Sequence, residues 1–140
     1  MLSINPYIHF NGNAEEAFTF YKSAFGGEFT SIMRYKDMNF EGDFIAPHEL
    51  EKLMHIALPI GEFGLLLGSD TPEKLGKHNE LETRSKIAVQ LDNKDEAERI
   101  FKELSQNGHI EVPFSESAPK IYFGMFRDKF GIEWMINCQS

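Results

Sequence analysis

The sequence predicts an α+β fold built from two tandem βαβββ modules, a mixed sheet curled around a central cleft with helices on its outer face. Three observations carry that prediction. The stretch Asn5 to Gly27 recurs in degenerate form eighty positions later: Asn13, Glu16 and Ala17 align with Asn93, Glu96 and Ala97, and Phe20-Tyr21-Lys22 with Ile100-Phe101-Lys102. A second match, Phe63-Gly64-Leu65 against Phe130-Gly131-Ile132, falls at an offset of 67. Each copy also runs from a strand-like segment through a helical stripe to a closing hairpin. Self-similarity of this kind marks a repeated supersecondary unit. The drop in offset assigns 13 extra residues to the first copy, between its second and third strands.

The elements follow in order. Leu2 to Phe10 reads as a strand, with Pro6 near its start where a missing N–H is tolerated. Asn11-Gly12 turns the chain, and Asn13 with Glu16 has the pattern of a capping box. Ala14, Ala17, Phe18, Tyr21 and Phe25 recur at helical spacing and form an apolar stripe, which Gly26-Gly27 ends. Glu28 to Tyr35 is a second strand. Lys36 to Glu51 is polar and longer than most connections, so it is a candidate functional loop or lid. His55 to Ile60 and Leu65 to Gly68 flank a turn and make a hairpin. Asp70 to Thr83, charged and broken by Pro72 and Gly76, reads as a linker.

In the second copy, Ser85 to Leu91 alternates polar and apolar residues. Asn93 with Glu96 opens a helix running through Ala97, Ile100, Phe101 and Leu104 to Gly108. Ile110 to Phe114 is a short strand, Ser115 to Pro119 a loop, and Ile121 to Phe126 with Ile132 to Asn137 the closing hairpin. The 140 residues are therefore read as a single domain with half-modules 1–70 and 84–140 and a linker over 71–83.

Composition narrows the function. A net charge of −8 without a Lys/Arg cluster lacks the phosphate-neutralising surface that nucleic acids require. No apolar run reaches the roughly 18 residues of a membrane span. The single Cys138 cannot form an intrachain disulfide, and no signal pattern opens the chain, so a cytoplasmic protein is expected.

Strand alternation assigns faces. Ile56, Leu58, Ile60, Phe123, Met125, Trp134 and Ile136 are read as facing the helices. His55, Lys86, Gln90, Tyr122, Glu133, Met135 and Asn137 are read as facing the cleft, and together form the candidate ligand-binding set, with Ile8 and Phe10 as apolar wall. Lys86 and Glu133 are expected to pair or to hold a bound counter-ion, since neither is stable alone away from water. His55 is the candidate hydrogen-bond partner or general base. His9 has helix-facing parity and is expected to be a core or rim histidine; a one-residue slip of its strand would instead bring it into the cleft. His48, His78 and His109 lack metal-ligand spacing and are read as solvated; Arg34 and Arg127, near strand ends, could meet an anionic group and are otherwise read as surface residues.

The Pro6-Tyr7-Ile8-His9-Phe10 strand, the helix ending in FYKSAFGG, Met54-His55 and the closing Phe130-Gly131-Ile132-Glu133-Trp134 resemble the PhnB-like branch of the vicinal oxygen chelate superfamily, which includes glyoxalase I, extradiol dioxygenases and fosfomycin and bleomycin resistance proteins. The resemblance covers nearly the whole chain. It implies paired βαβββ modules, commonly a homodimer, and in the metal enzymes a divalent ion held by His and carboxylate side chains of the concave face. Carried over by position, those ligands fall on Pro6, Gly68, Lys86 and Met135, none of which is a usual ligand for such an ion. The expectation is a small-molecule-binding protein with no metal and no cofactor, and no glyoxalase-type activity. The alternative is a metal-dependent lyase, isomerase or dioxygenase using non-standard ligands such as His9, His55 and Glu133. An interaction module with a self-filled cleft is a third reading.

Overall fold

The computed structural model describes residues 2–38 and 44–140. The chain divides into two compact units, Met1–His78 and Asn79–Ser140. The first carries β1 (Tyr7–Phe10), α1 (Ala14–Phe25), β2 (Ser31–Arg34), β3 (Leu53–Ile60) and β4 (Gly64–Asp70), with sheet order β1-β4-β3-β2. The second carries β5 (Ile87–Leu91), α2 (Lys94–Leu104), β6 (His109–Ala118), β7 (Ile121–Arg127) and β8 (Glu133–Gln139), with order β5-β8-β7-β6. In each, the first strand runs parallel to the last, and the other pairs are antiparallel. Two βαβββ modules are thus present. The stretch 71–78 belongs with the first and 79–83 with the second. The expected loop at Ser115 to Pro119 is largely strand: β6 reaches Ala118 by breaking register with β7 at three places.

Each helix covers one face of its own sheet. Ala14, Ala17, Phe18, Tyr21 and Ala24 of α1 are buried, as are Ala97, Ile100, Phe101 and Leu104 of α2. Burying each large side chain is worth about 1.5–3 kcal/mol, enough to fix strand register. Glycines let the aromatic rings settle on the strands. A Cβ on Gly68 would lie 2.6 Å from Phe18, and one on Gly124 2.6 Å from Phe101.

These contacts correct part of the face assignment. Gly68 faces α1, and through the ladder so do Ile8, Phe10 and Ile56. Phe10 is 3% exposed and packs edge-on against Phe18 at 6.0 Å, so it is core and not cleft wall. His9 correspondingly lies on the side away from α1. In the second sheet Gly124 faces α2 and carries Tyr122 and Phe126 with it, opposite Cys138, Ile136 and Trp134. Tyr122 is therefore a helix-side residue, and Phe123 and Met125 take the other face. The cause is a one-residue slip. Three residues separate β1 from α1, and two separate β5 from α2. Aligning the modules on their helices thus inverts the parity of β1 relative to β5. The hairpin glycines mislead in the same way: Gly131 has φ +94°, while Gly64 does not adopt a positive φ.

The helix caps differ as well. Asn93 accepts from the Glu96 N–H at 2.9 Å, as its sequence suggests. Asn13 makes no such bond. The Ala14 N–H instead donates to Asp70 Oδ1 at 2.9 Å, and Asp70 Oδ2 accepts from the Leu53 N–H at 2.9 Å. A buried carboxylate at the end of β4 thus fastens α1 to β3. The long connection before β3 contains 3-10 turns at Tyr35–Asp37 and Pro47–Glu49, and its residues 39–43 lie outside the described residues, as does that part of the lid reading.

Candidate functional site

The helix-free face of the first sheet gathers aromatic and imidazole rings. Alternation along β1 places Tyr7 and His9 there, opposite Leu67 and Ser69 of β4, while His55 of β3 pairs with Met33 of β2. Tyr7 stands 5.2 Å from His9 and 6.1 Å from His55 between ring centroids. Ser69 Oγ lies 3.2 Å from His9 Nδ1. His78, expected as a solvated linker residue, stacks on His9 at 5.4 Å. Asn11 holds it there, donating to its carbonyl at 3.0 Å and accepting from its N–H at 2.8 Å, while Thr71 Oγ1 meets its Nε2 at 2.7 Å. Burial, and secondarily the neighbouring His78, lower the pKa of His9, so its ring is neutral near pH 7. A neutral imidazole can accept a proton or a hydrogen bond, or ligate a metal.

The corresponding face of the second sheet is ionic. Register places Lys86, Ala88 and Gln90 beside Glu133, Met135 and Asn137, with Phe123, Met125 and Arg127 following on β7. The expected pair forms: Lys86 Nζ lies 2.6 Å from Glu133 Oε2. Lys86 also reaches Glu111 at 3.4 Å. The hydrogen bond to Glu133 is the main reason its pKa is raised. Glu133 is 4% exposed, and its other oxygen accepts from Arg127 at 2.8 Å. Arg127 is no surface residue. It also donates to the carbonyls of Glu80, Leu81, Glu82 and Gly131 at 2.7–3.3 Å, pinning the start of this unit to its sheet. Sequence reasoning missed this role, since nothing local marks four carbonyls converging on one guanidinium. Gln90 lines an open hollow of about 530 Å³ with Leu91, Asp92 and Gln139.

Tyr122 lies apart from this set. It lines a separate hollow of about 350 Å³ with Lys94, Glu98, Phe114, Ser115 and Glu116. Its ring stacks with Phe114 at 6.1 Å and has Lys94 Nζ at 5.1 Å, while the hydrogen bond its hydroxyl donates to Glu116 leads the causes that raise its pKa. Arg34 is engaged by both oxygens of Glu15, at 3.0 and 2.7 Å, and is not open to an anionic ligand.

The divalent ion that the resemblance implies finds few partners at the positions carried over from it. Gly68 faces α1, and Pro6 has the parity of Ile8, its carbonyl taken by the Leu67 N–H at 3.0 Å. Register puts Asn5 and Leu67 where the second sheet has Lys86 and Met135. Neither supplies the His or carboxylate such an ion needs, and Lys86 is already a cation paired with Glu133. Among the described residues, His9, His55 and His78 do not converge to within 4.8 Å as a metal-ligating group; His48, Glu49 and Glu73 do.

Comparison with known proteins agrees with this architecture. The model of the glyoxalase/bleomycin resistance protein/dioxygenase superfamily matches residues 3–136. Protein YjdN of Escherichia coli strain K12 is 27% identical over 139 residues, covering 97% of this chain and 95% of its own. Protein PA1353 from Pseudomonas aeruginosa superposes with a TM-score of 0.84 at 33% identity, over 99% of this chain and 98% of that one. A PhnB protein from Bacillus cereus superposes with a TM-score of 0.75 at 27% identity, over 98% and 99%.

Proposed function

We propose, for a chain that belongs to the glyoxalase/bleomycin resistance protein/dioxygenase superfamily and to its PhnB-like branch, that it binds a small amphipathic molecule on the helix-free faces of its sheets without the superfamily's divalent ion. The observation that carries this reading is the state of Glu133. The one acid among the ligand residues proposed from the sequence has both oxygens committed, to Lys86 and to Arg127. A carboxylate neutralised on both sides is a poor metal ligand and a poor base.

Residues left uncommitted to meet a ligand are His55 on the face of the first sheet and Gln90, Met135 and Asn137 on that of the second, with Lys86 as a fixed positive charge there. Phe123 and Met125 join them, and Tyr122 leaves. Such a lining offers apolar contact with a few donors and acceptors, as small-molecule sites do. The net charge of −8 favours a cationic ligand by steering. We place the protein in the cytoplasm as a homodimer, on its single buried thiol and its family. Among the described residues no helix is long and apolar enough to cross a membrane.

The test is a thermal-shift screen of metabolites and cationic drugs on tag-free, chelator-treated protein, followed by calorimetry of any hit. Binding that weakens in Gln90→Leu or His55→Ala and needs no added metal supports the reading. One observation favours a second reading, a metal-dependent lyase, isomerase or dioxygenase: Tyr7, His9 and His55 cluster on one face with a neutral His9. Elemental analysis separates the two, since stoichiometric metal lost in His55→Ala would favour the enzyme.

A further inference from the structure

We infer that His48, Glu49 and Glu73 form a site for a first-row divalent cation of the zinc type, tying the turn before β3 to the segment after β4. The ligand set is chemically apt. One imidazole and two carboxylates offer atoms that all lie within 4.8 Å of one another. Imidazole with carboxylate suits zinc and its neighbours, and three protein ligands leave a fourth position open for water.

The independent observation is Glu49. It is 5% exposed, and among the described residues no Lys or Arg forms an ion pair with it. Its oxygens receive one backbone N–H each, from Ala46 at 3.1 Å and Glu73 at 3.0 Å. Those bonds hold the carboxylate in place and leave lone pairs on both oxygens. A buried carboxylate without a cation carries a desolvation cost, and a second carboxylate beside it adds repulsion. Glu73 is that second carboxylate, and its Oε2 meets His48 Nε2 directly. A divalent cation would neutralise both charges at once.

The backbone is already organised for it. Glu49 ends the 3-10 turn Pro47–Glu49, and Glu73 opens the 3-10 turn Glu73–Leu75. His48 and Glu73 are exposed, so an ion can enter from solvent. The separation of 25 residues between His48 and Glu73 explains why no sequence motif announces the site.

The experiment uses tag-free full-length protein stripped with chelator and titrated with Zn²⁺, then with Co²⁺ followed by visible spectroscopy. One ion per chain is expected, with a rise in Tm of roughly 5–10 °C at a hundredfold excess over Kd. His48→Ala and Glu73→Gln should each weaken binding by at least about 10–100-fold, the loss typical of even an outer-shell partner, and cut the Tm rise at the same metal concentration to about half or less. His9→Ala should bind as the parent does. Circular dichroism without metal checks that the variants fold. Absence of saturable binding, or binding that survives in both His48→Ala and Glu73→Gln, overturns the inference and leaves His48 and Glu73 as an ion pair. Binding lost in His9→Ala alone overturns it too, and in that case also counts against metal-free ligand binding on the sheet faces.

Discussion

The two sheets share a strand order and present different chemistry on the sides away from their helices. The first shows Tyr7, His9 and His55, with His78 folded back over His9. The second shows Glu133 locked between Lys86 and Arg127, flanked by Gln90, Met135 and Asn137. Duplication preserved the buried side of each module, where packing fixes the register, and left the opposite side free to diverge. The difference teaches that charge on the second sheet serves architecture first, while the neutral polar groups left uncommitted are His55 on the first sheet and Gln90 and Asn137 on the second.

The largest expected effect contrasts the two helix caps. Asp70→Ala removes the acceptor of two buried N–H groups and should cost about 3–4 kcal/mol, whereas Asn93→Ala should cost about 1 kcal/mol. Denaturant unfolding of both variants checks the ratio; equal losses would mean that α1 is capped another way. Next, Glu133→Gln should cost about 2–3 kcal/mol, because it leaves two partly buried cations without their shared anion. Lys86→Met should cost about 1 kcal/mol, since Arg127 still neutralises Glu133. A loss in Lys86→Met matching that of Glu133→Gln would make Lys86 structural and remove it from the ligand set.

Titration supplies the smaller effects, and both belong to the first module. The Tyr35 hydroxyl donates to the Asp70 carbonyl at 2.5 Å, and burial, reinforced by the Asp70 charge, pushes its pKa up to about 12. The fold favours the neutral phenol. Its contribution is fully present below pH 10.0, the ordinary value, and is lost as pH rises toward about 12; Tyr35→Phe should flatten that alkaline limb. His9 is shifted the other way. With its folded pKa below the ordinary 6.5, stability falls as pH drops through 6.5, and His9→Gln should remove this slight acid dependence. Melting curves across pH read both.

Much of the fold is legible in the sequence because it depends on local periodicity. The α1 stripe from Ala14 to Tyr21, the Asn93 cap and both hairpins are short-range patterns. What the sequence hides is anything decided by one inserted residue or by a distant partner. Asn11-Gly12-Asn13 is one residue longer than Asp92-Asn93, and that slip exchanged the sides of His9 and Phe10. Tyr122 was misplaced by taking Phe63-Gly64 as equivalent to Phe130-Gly131. Asp70 capping a helix 56 residues away, Arg127 gathering the carbonyls of Glu80 to Glu82, and His78 returning over His9 leave no local signal. The Lys86 to Glu133 pair was legible, because two opposite charges on one strand face have few other ways to be buried.

The most direct test of metal-free binding is calorimetry of a screened ligand against chelator-treated protein, repeated in Gln90→Leu, His55→Ala and Tyr122→Phe. The account predicts a Kd unchanged by added divalent metal, weakened at Gln90 or His55, and indifferent to Tyr122. A ligand that binds only after metal is restored, or one whose affinity depends on Tyr122 and on neither of the others, would contradict it.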